Sequence, residues 1–380
     1  MDFAFWSDQF GLVASNPGAI LIRNPLCPSA GRIPPEAHMQ RPLRLFFALV
    51  IFVSLFTPAA AETGAAQGRF LGAKETEYPS WFKQSFLELS EDVGEAADQG
   101  RRVLILFTQD GCPYCHALVE HNLAQKDIEA YVKAHFDVVL INLWGDREVL
   151  DVQGRSFTEK QFAAALKVQF TPTLVFLGES GAPVLRLDGY VPPERFKLAL
   201  EYVAERQDAA MGFNDYLARH APPPDGGQLV RQDFFRPGPH DLSQHRGPVA
   251  VFFEQGHCPN CRALYDGPFG DPETRKLAGE IHSIQLDMWS EKPLVAPDGR
   301  ALTARAWARE LDVKYAPTIV LLDQGREVIR SEAFFKTFHT QGILEYVRSG
   351  DYRRQPNFQR WLEARADHFR ELGRDVDLWQ

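Results

Sequence analysis

The sequence predicts an α/β fold in which one domain, a mixed central sheet flanked by helices, occurs twice in tandem. Three observations lead there. The stretch 104–118 recurs at 250–264 and the stretch 158–177 at 303–322, an interval of about 145 residues. Solenoid repeats run about 20 to 50 residues, so an interval this long marks a duplicated domain. The apolar runs 103–107 and 249–253 read as strands buried on both faces. The short runs 174–177 and 184–187, joined through Gly178 and Gly181, add an antiparallel edge to the sheet.

Within each copy the pattern reads strand, helix, strand, helix, strand, strand, helix. An amphipathic helix over 81–99, with Trp81, Phe82, Leu87 and Leu89 on its apolar face, precedes the first copy. A Trp follows the second strand in each, Trp144 and Trp289. The ends of the copies also correspond: 200–203 matches 344–347, and Phe213, Tyr216 and Leu217 match Phe358, Trp361 and Leu362. The closing segment, with Phe369 and Leu372, is expected to form a helix packed on its own domain. Prolines and glycines at 221–227 and 236–239 mark a semi-rigid linker.

Hydrophobic residues at 45% and charged residues at 24% are those of a globular protein. A net charge of −9 argues against nucleic acid as a partner. An export signal begins at Met39: Arg41 and Arg44 precede the apolar run 45–56, and Ala59, Ala60 and Ala61 supply a cleavage site. The run is shorter than the roughly 20 residues a membrane span needs. Cleavage after Ala61 and a periplasmic protein are therefore expected, with an uncleaved N-terminal anchor facing the periplasm as the alternative. The expected organisation is an upstream extension (1–38), a signal peptide (39–61), a first domain (62–219), a linker (220–246), a second domain (247–350) and a helical tail (351–380).

Of the five cysteines, Cys27 lies upstream of the signal, and the others form two CxxC pairs, Cys112 with Cys115 and Cys258 with Cys261. Each pair directly follows a strand and opens a helical stretch. Disulfide exchange is carried by thiolate, which a free cysteine with a pKa near 8.5 supplies poorly at neutral pH. A helix N-terminus stabilises the anion, so Cys112 and Cys258 are assigned as attacking groups. Cys115 and Cys261, one turn on, resolve the mixed disulfide. Pro113 and Pro259 suit a first helical turn, where no N–H partner is needed. His116, His257 and Arg262 flank the sites and could add positive charge, whereas Asp110 and Glu254 are expected to face solvent.

A CxxC pair also serves zinc and copper sites, so a copper or zinc carrier using both pairs is the alternative function. A second feature favours redox chemistry: Thr171-Pro172 and Ala316-Pro317 each stand just before an apolar strand, the prolines 57 and 56 residues beyond Cys115 and Cys261. Taken together, these motifs resemble the thioredoxin-like superfamily over about 70–219 and 247–365. The segments 109–116, 143–146, 170–174 and 189–193 resemble more narrowly the periplasmic thioredoxins encoded with sulfur-oxidation systems. The resemblance implies tandem thioredoxin-like domains whose redox-active disulfides are Cys112–Cys115 and Cys258–Cys261, with no further cofactor and no metal. It implies cis peptide bonds at Pro172 and Pro317, which with Thr171 and Ala316 line the substrate groove. Protein thiols and disulfides would be the substrates of a monomeric reductase or isomerase, and a membrane thiol transporter of the cytochrome-c-biogenesis type would supply electrons.

The sequence departs from that pattern. The acid that thioredoxins carry six residues before the first cysteine is replaced by Leu106 and Phe252, and the Trp before the motif by Gly111 and His257. Between the copies, Tyr114 becomes Asn260, Thr171 becomes Ala316 and Gly189 becomes Ala333. Distinct potentials are expected at the two sites, with most general reductase activity in the first domain.

Overall fold

The structure, a computed structural model, describes residues 67–221, 227–332 and 335–380. The expected signal and upstream extension lie outside the described residues, as do Ala333 and residues 222–226 of the expected linker.

In the first copy, strands β2 (Arg102–Thr108), β3 (Phe136–Asn142), β6 (Thr173–Leu177) and β7 (Pro183–Asp188) form a sheet in the order β3-β2-β6-β7. β2 runs parallel to β3 and antiparallel to β6, so Ile105 faces Val139 on one side and Val175 on the other. The second copy repeats this with β8 (Val249–Glu254), β9 (His282–Asp287), β12 (Thr318–Asp323) and β13 (Arg326–Ser331), in the order β13-β12-β8-β9. Every residue of β2 and of β8 is buried, as continuous apolar runs covered by helices on both faces require. A two-stranded hairpin also recurs, β4 (Glu148–Leu150) with β5 (Ser156–Thr158) and β10 (Pro293–Val295) with β11 (Ala301–Thr303).

The leading helix is shorter than its apolar pattern predicts: α1 spans Leu89–Asp98. Leu87 adopts a left-handed backbone with φ of 66°, a conformation that breaks a helix of L-residues. Lys83 N–H instead donates to the Val138 carbonyl at 2.9 Å, and Ser85 accepts from Leu87 N–H at 2.7 Å. Trp81 and Phe82 still pack on the first domain's core, from an irregular segment.

The closing segment forms α11 (Phe358–Glu371), and β14 (Val376–Asp377) then pairs in parallel with β1 (Phe70–Leu71). This helix does not pack on its own domain alone. Phe170, two residues before Pro172, is buried in the second domain's core, stacked on Phe335 at 4.9 Å and against Phe358 at 5.5 Å. Its counterpart Tyr315, two residues before Pro317, is buried in the first domain's core. Each domain therefore inserts the same aromatic position into the other.

Charged groups line the same contact. Arg186 meets Asp188 at 2.8 Å, and their counterparts Arg330 and Glu332 meet at 2.9 Å. Burial pushes the Asp188 carboxyl up, but Arg186 beside it and the charge of Lys314 in the other domain hold it below its ordinary range.

Replacing a buried Phe by Ala costs about 3–5 kcal/mol. Phe170→Ala is therefore expected to destabilise the second domain although the residue belongs to the first. Urea unfolding followed by the tryptophans of each domain tests this, and a loss confined to the first domain would contradict the reciprocal packing.

Candidate functional site

Each CxxC pair sits where the central strand hands over to a helix. β2 leads through 109–111 into α2 (Pro113–Ala117), and β8 through 255–257 into α7 (Pro259–Asp266). Cys112 and Cys258 are the N-cap residues, and their sulfurs accept from the N–H groups of Cys115 and Cys261 at 3.0 Å. Those N–H groups would stabilise a thiolate at the same position once the disulfides are reduced. Both pairs are disulfide-bonded, with Cα atoms 5.3 and 5.2 Å apart.

The structure gathers the candidate residues into two like groups. Pro172 and Pro317 follow cis peptide bonds. The Thr171 carbonyl oxygen lies 3.6 Å from Cys112 Sγ, and the Ala316 carbonyl oxygen 3.8 Å from Cys258 Sγ. Trp144 donates from Nε1 to Gln109 Oε1 at 3.0 Å, and Trp289 does the same to Gln255 at 3.0 Å. Both partners were visible in the repeat, the Gln three residues before each attacking cysteine, but nothing local joined them. Among the described residues, no three His, Cys, Asp or Glu side chains gather as metal ligands would.

Exposure separates the two sites. Cys112 is 2% exposed, and Pro113 and Tyr114 are buried with it. Cys258 is partly exposed, and Pro259, Asn260, His257 and Arg262 are exposed around it. The cover over the first site comes from the second domain. Tyr114 Oη accepts from Lys336 N–H at 2.9 Å, and the Tyr114 ring meets Phe335, His339 and Trp379 edge-on. Gln359 on α11 accepts from Gln109 at 3.3 Å and donates to the Gln169 carbonyl at 2.9 Å. Burial, with the charge of Arg365, depresses His339 to about 3, so the imidazole under this cover is neutral. The expectation that the first domain carries most of the general reductase activity does not fit this burial.

Glu254 corrects a second expectation. Asp110 is exposed as anticipated, but Glu254 is fully buried at the end of β8. It accepts from the Tyr265 hydroxyl, on the CxxC helix, and from Gln285 Nε2 at 3.1 Å. Burial raises its carboxyl to about 7, against the opposing pull of those hydrogen bonds. A single Glu after five apolar residues carried no sequence signal of burial, because its partners lie in other elements. The corresponding residue of the first domain is Thr108, bonded to the Tyr78 hydroxyl.

Comparison with known proteins bears on this geometry. The thioredoxin-like domain family matches residues 89–204 and 240–348, more than half of the chain. The chain belongs to the thioredoxin-like domain family. A thioredoxin-fold protein from Helicobacter pylori is 23% identical, with a TM-score of 0.28, covering 36% of this chain and 92% of its own. A thioredoxin from Thermus thermophilus is 24% identical, with a TM-score of 0.25, covering 41% and 97%. A protein disulfide oxidoreductase from Aeropyrum pernix is 13% identical, with a TM-score of 0.23, covering 72% and 96%. The comparison with curated proteins found no match. With two CxxC disulfides in tandem thioredoxin-like domains as its redox centres, the protein is a thiol-disulfide oxidoreductase.

The raised Glu254 carboxyl has a consequence for stability. In the unfolded chain it titrates near its ordinary 4.5 and in the folded thioredoxin-like domain near 7, so the folded state holds the proton longer. The stability this provides is complete below pH 4.5 and is lost as pH rises through 7. The loss is on the order of 3 kcal/mol. Glu254→Gln is expected to flatten this part of the stability profile, measured by urea unfolding of the second domain across pH 4 to 8. An unchanged slope would place the titration elsewhere.

Proposed function

We propose that the protein is an exported, periplasmic reductase or isomerase that exchanges disulfides with protein substrates, chiefly through Cys258 and Cys261. The observation that carries this reading is the open second site, where Cys258 is partly exposed and its sulfur lies 3.8 Å from the Ala316 carbonyl. A polypeptide can lie along that loop as an added strand, bonding through its main chain. Reduced Cys258 attacks one sulfur of the substrate disulfide, forming a mixed disulfide and releasing the other sulfur as thiolate. Cys261, 1% exposed beneath it, then attacks the Cys258 sulfur, frees the substrate thiol and restores the disulfide. Ala316 and Pro317 would position the substrate, and His257 and Arg262 beside Cys258 would favour its thiolate.

Export is supported by the signal-like segment from Met39 to Ala61. The direction of electron flow is supported by the resemblance to the periplasmic thioredoxins of sulfur-oxidation systems, which also makes a membrane thiol transporter the electron source. Thr171 and Pro172 would have the corresponding roles at the first site.

Serine substitution separates the sites. Cys258→Ser is expected to slow insulin reduction by about tenfold or more, about 1.4 kcal/mol in the barrier, whereas Cys112→Ser changes it little. Equal losses would mean that both sites serve proteins alike. A reductase should also equilibrate nearer about −270 mV than the −120 mV or so of a strong oxidant. N-terminal sequencing of the secreted protein should begin at Glu62, and a retained Met1 would rule out the export reading.

A further inference from the structure

The cover over the first CxxC site leaves a chamber beneath it. A cavity of about 430 Å³ opens beside Cys112, floored by Cys112 and Thr171 and walled by Phe335, Phe338, Leu362 and Ala366 of the second domain. Pockets of about 300 to 1,000 Å³ suit small molecules. A polypeptide entering the same site would have to lay its backbone along Thr171 beneath a helix that is bonded to Gln109 and Gln169. Chamber and exclusion have one cause: α11 runs through 371, whereas the matching helix of the first domain, Phe213–His220, ends before the linker prolines and leaves the second site open. Of the charged residues that line the chamber, Asp367 pairs with Arg370 at 3.1 Å, which leaves the carboxylates of Asp110 and Glu363 facing it without a lining cation of their own. Its histidine, His339, is neutral there.

We propose that the first site exchanges electrons with low-molecular-weight disulfides, preferring cationic ones, and that α11 and the segment 335–339 exclude polypeptides from it. The proposal rests on the redox reading of the CxxC pairs. Reduced Cys112 attacks a sulfur of the small disulfide, forming a Cys112–substrate disulfide and releasing one small thiolate, which takes a proton from water. Cys115 thiolate then attacks the Cys112 sulfur, releases the second small thiol and closes the Cys112–Cys115 disulfide. The protein dithiol loses two electrons and the small disulfide gains them.

The test uses full-length protein carrying Cys258→Ser with Cys261→Ser, which retains only the first site, and protein carrying Cys112→Ser with Cys115→Ser, which retains only the second. Each is reduced with dithiothreitol, desalted and mixed with cystamine (cationic), glutathione disulfide (anionic) or insulin. Protein with only the first site should react with cystamine about tenfold or more faster than with glutathione disulfide, within the range of electrostatic steering by a charged cleft. It should leave insulin intact, while protein with only the second site cleaves insulin.

Glu363→Lys, at an exposed position on α11, should narrow the preference for cystamine, and Ala366→Phe should block the chamber. In the otherwise unsubstituted protein, both changes should leave insulin reduction by the second site intact, which also reports that the variants fold. Insulin cleavage by the first site at the rate of the second would overturn the proposal, because the cover would then admit polypeptides. Indifference to disulfide charge would overturn the cationic preference. Failure of the first site with both small disulfides, beside an active second site, would refute the proposal and leave the redox reading standing. Failure of both sites with all three substrates would refute the redox reading itself.

Discussion

The exchange of one aromatic position between the domains is the contact on which the rest of the arrangement depends. Phe170 and Tyr315 each stand two residues before a cis-proline and each is buried in the partner domain's core. The groove loop of each site is thereby also an interface element. A loop that lines a redox site is ordinarily held by its own sheet. Here the neighbouring domain holds it as well, so the position of the Thr171 carbonyl beside Cys112 is coupled to packing around Phe335 and Phe358.

From this contact follows the inequality of two sites with the same local chemistry. Their N-cap cysteines, their helix-opening prolines and their Trp–Gln pairs correspond bond for bond. A reciprocal interface alone would leave them equivalent. Inequality arises at the ends of the copies, where the second domain continues as a longer helix and a strand that pairs with β1, while the first runs into prolines. The cover at Tyr114 is dense and largely aromatic, and its one histidine is kept neutral by burial and by Arg365.

The second site differs electrostatically as well as sterically. A fully buried carboxyl with a pKa near neutrality stands at the end of β8, bonded to a tyrosine of the CxxC helix. It lies two residues along the strand from Phe252, where thioredoxins carry their buried acid. Residues two apart on a strand share a face, so an acid is still present on that side of the second sheet. The first domain has the Thr108–Tyr78 pair at the corresponding strand end.

The sequence by itself determined the duplicated fold, the order of strands and helices, the cysteine pairs at helix starts and a proline just before the same strand in each copy. These depend on periodicity, on the position of a residue relative to its own strand or helix, and on spacings that recur in both copies, all of which are local or repeated. The tertiary structure alone decided which site is open, because exposure of Cys112 depends on residues more than 200 positions away, such as Lys336 and Gln359. It likewise decided that 81–88 is not helical and that Glu254 is buried, through partners on β3 and β9 and on α7 that no local pattern identifies. Local preference sets what each segment is. Which surfaces survive as surface is settled only when the two copies pack, because burial is a property of the pair.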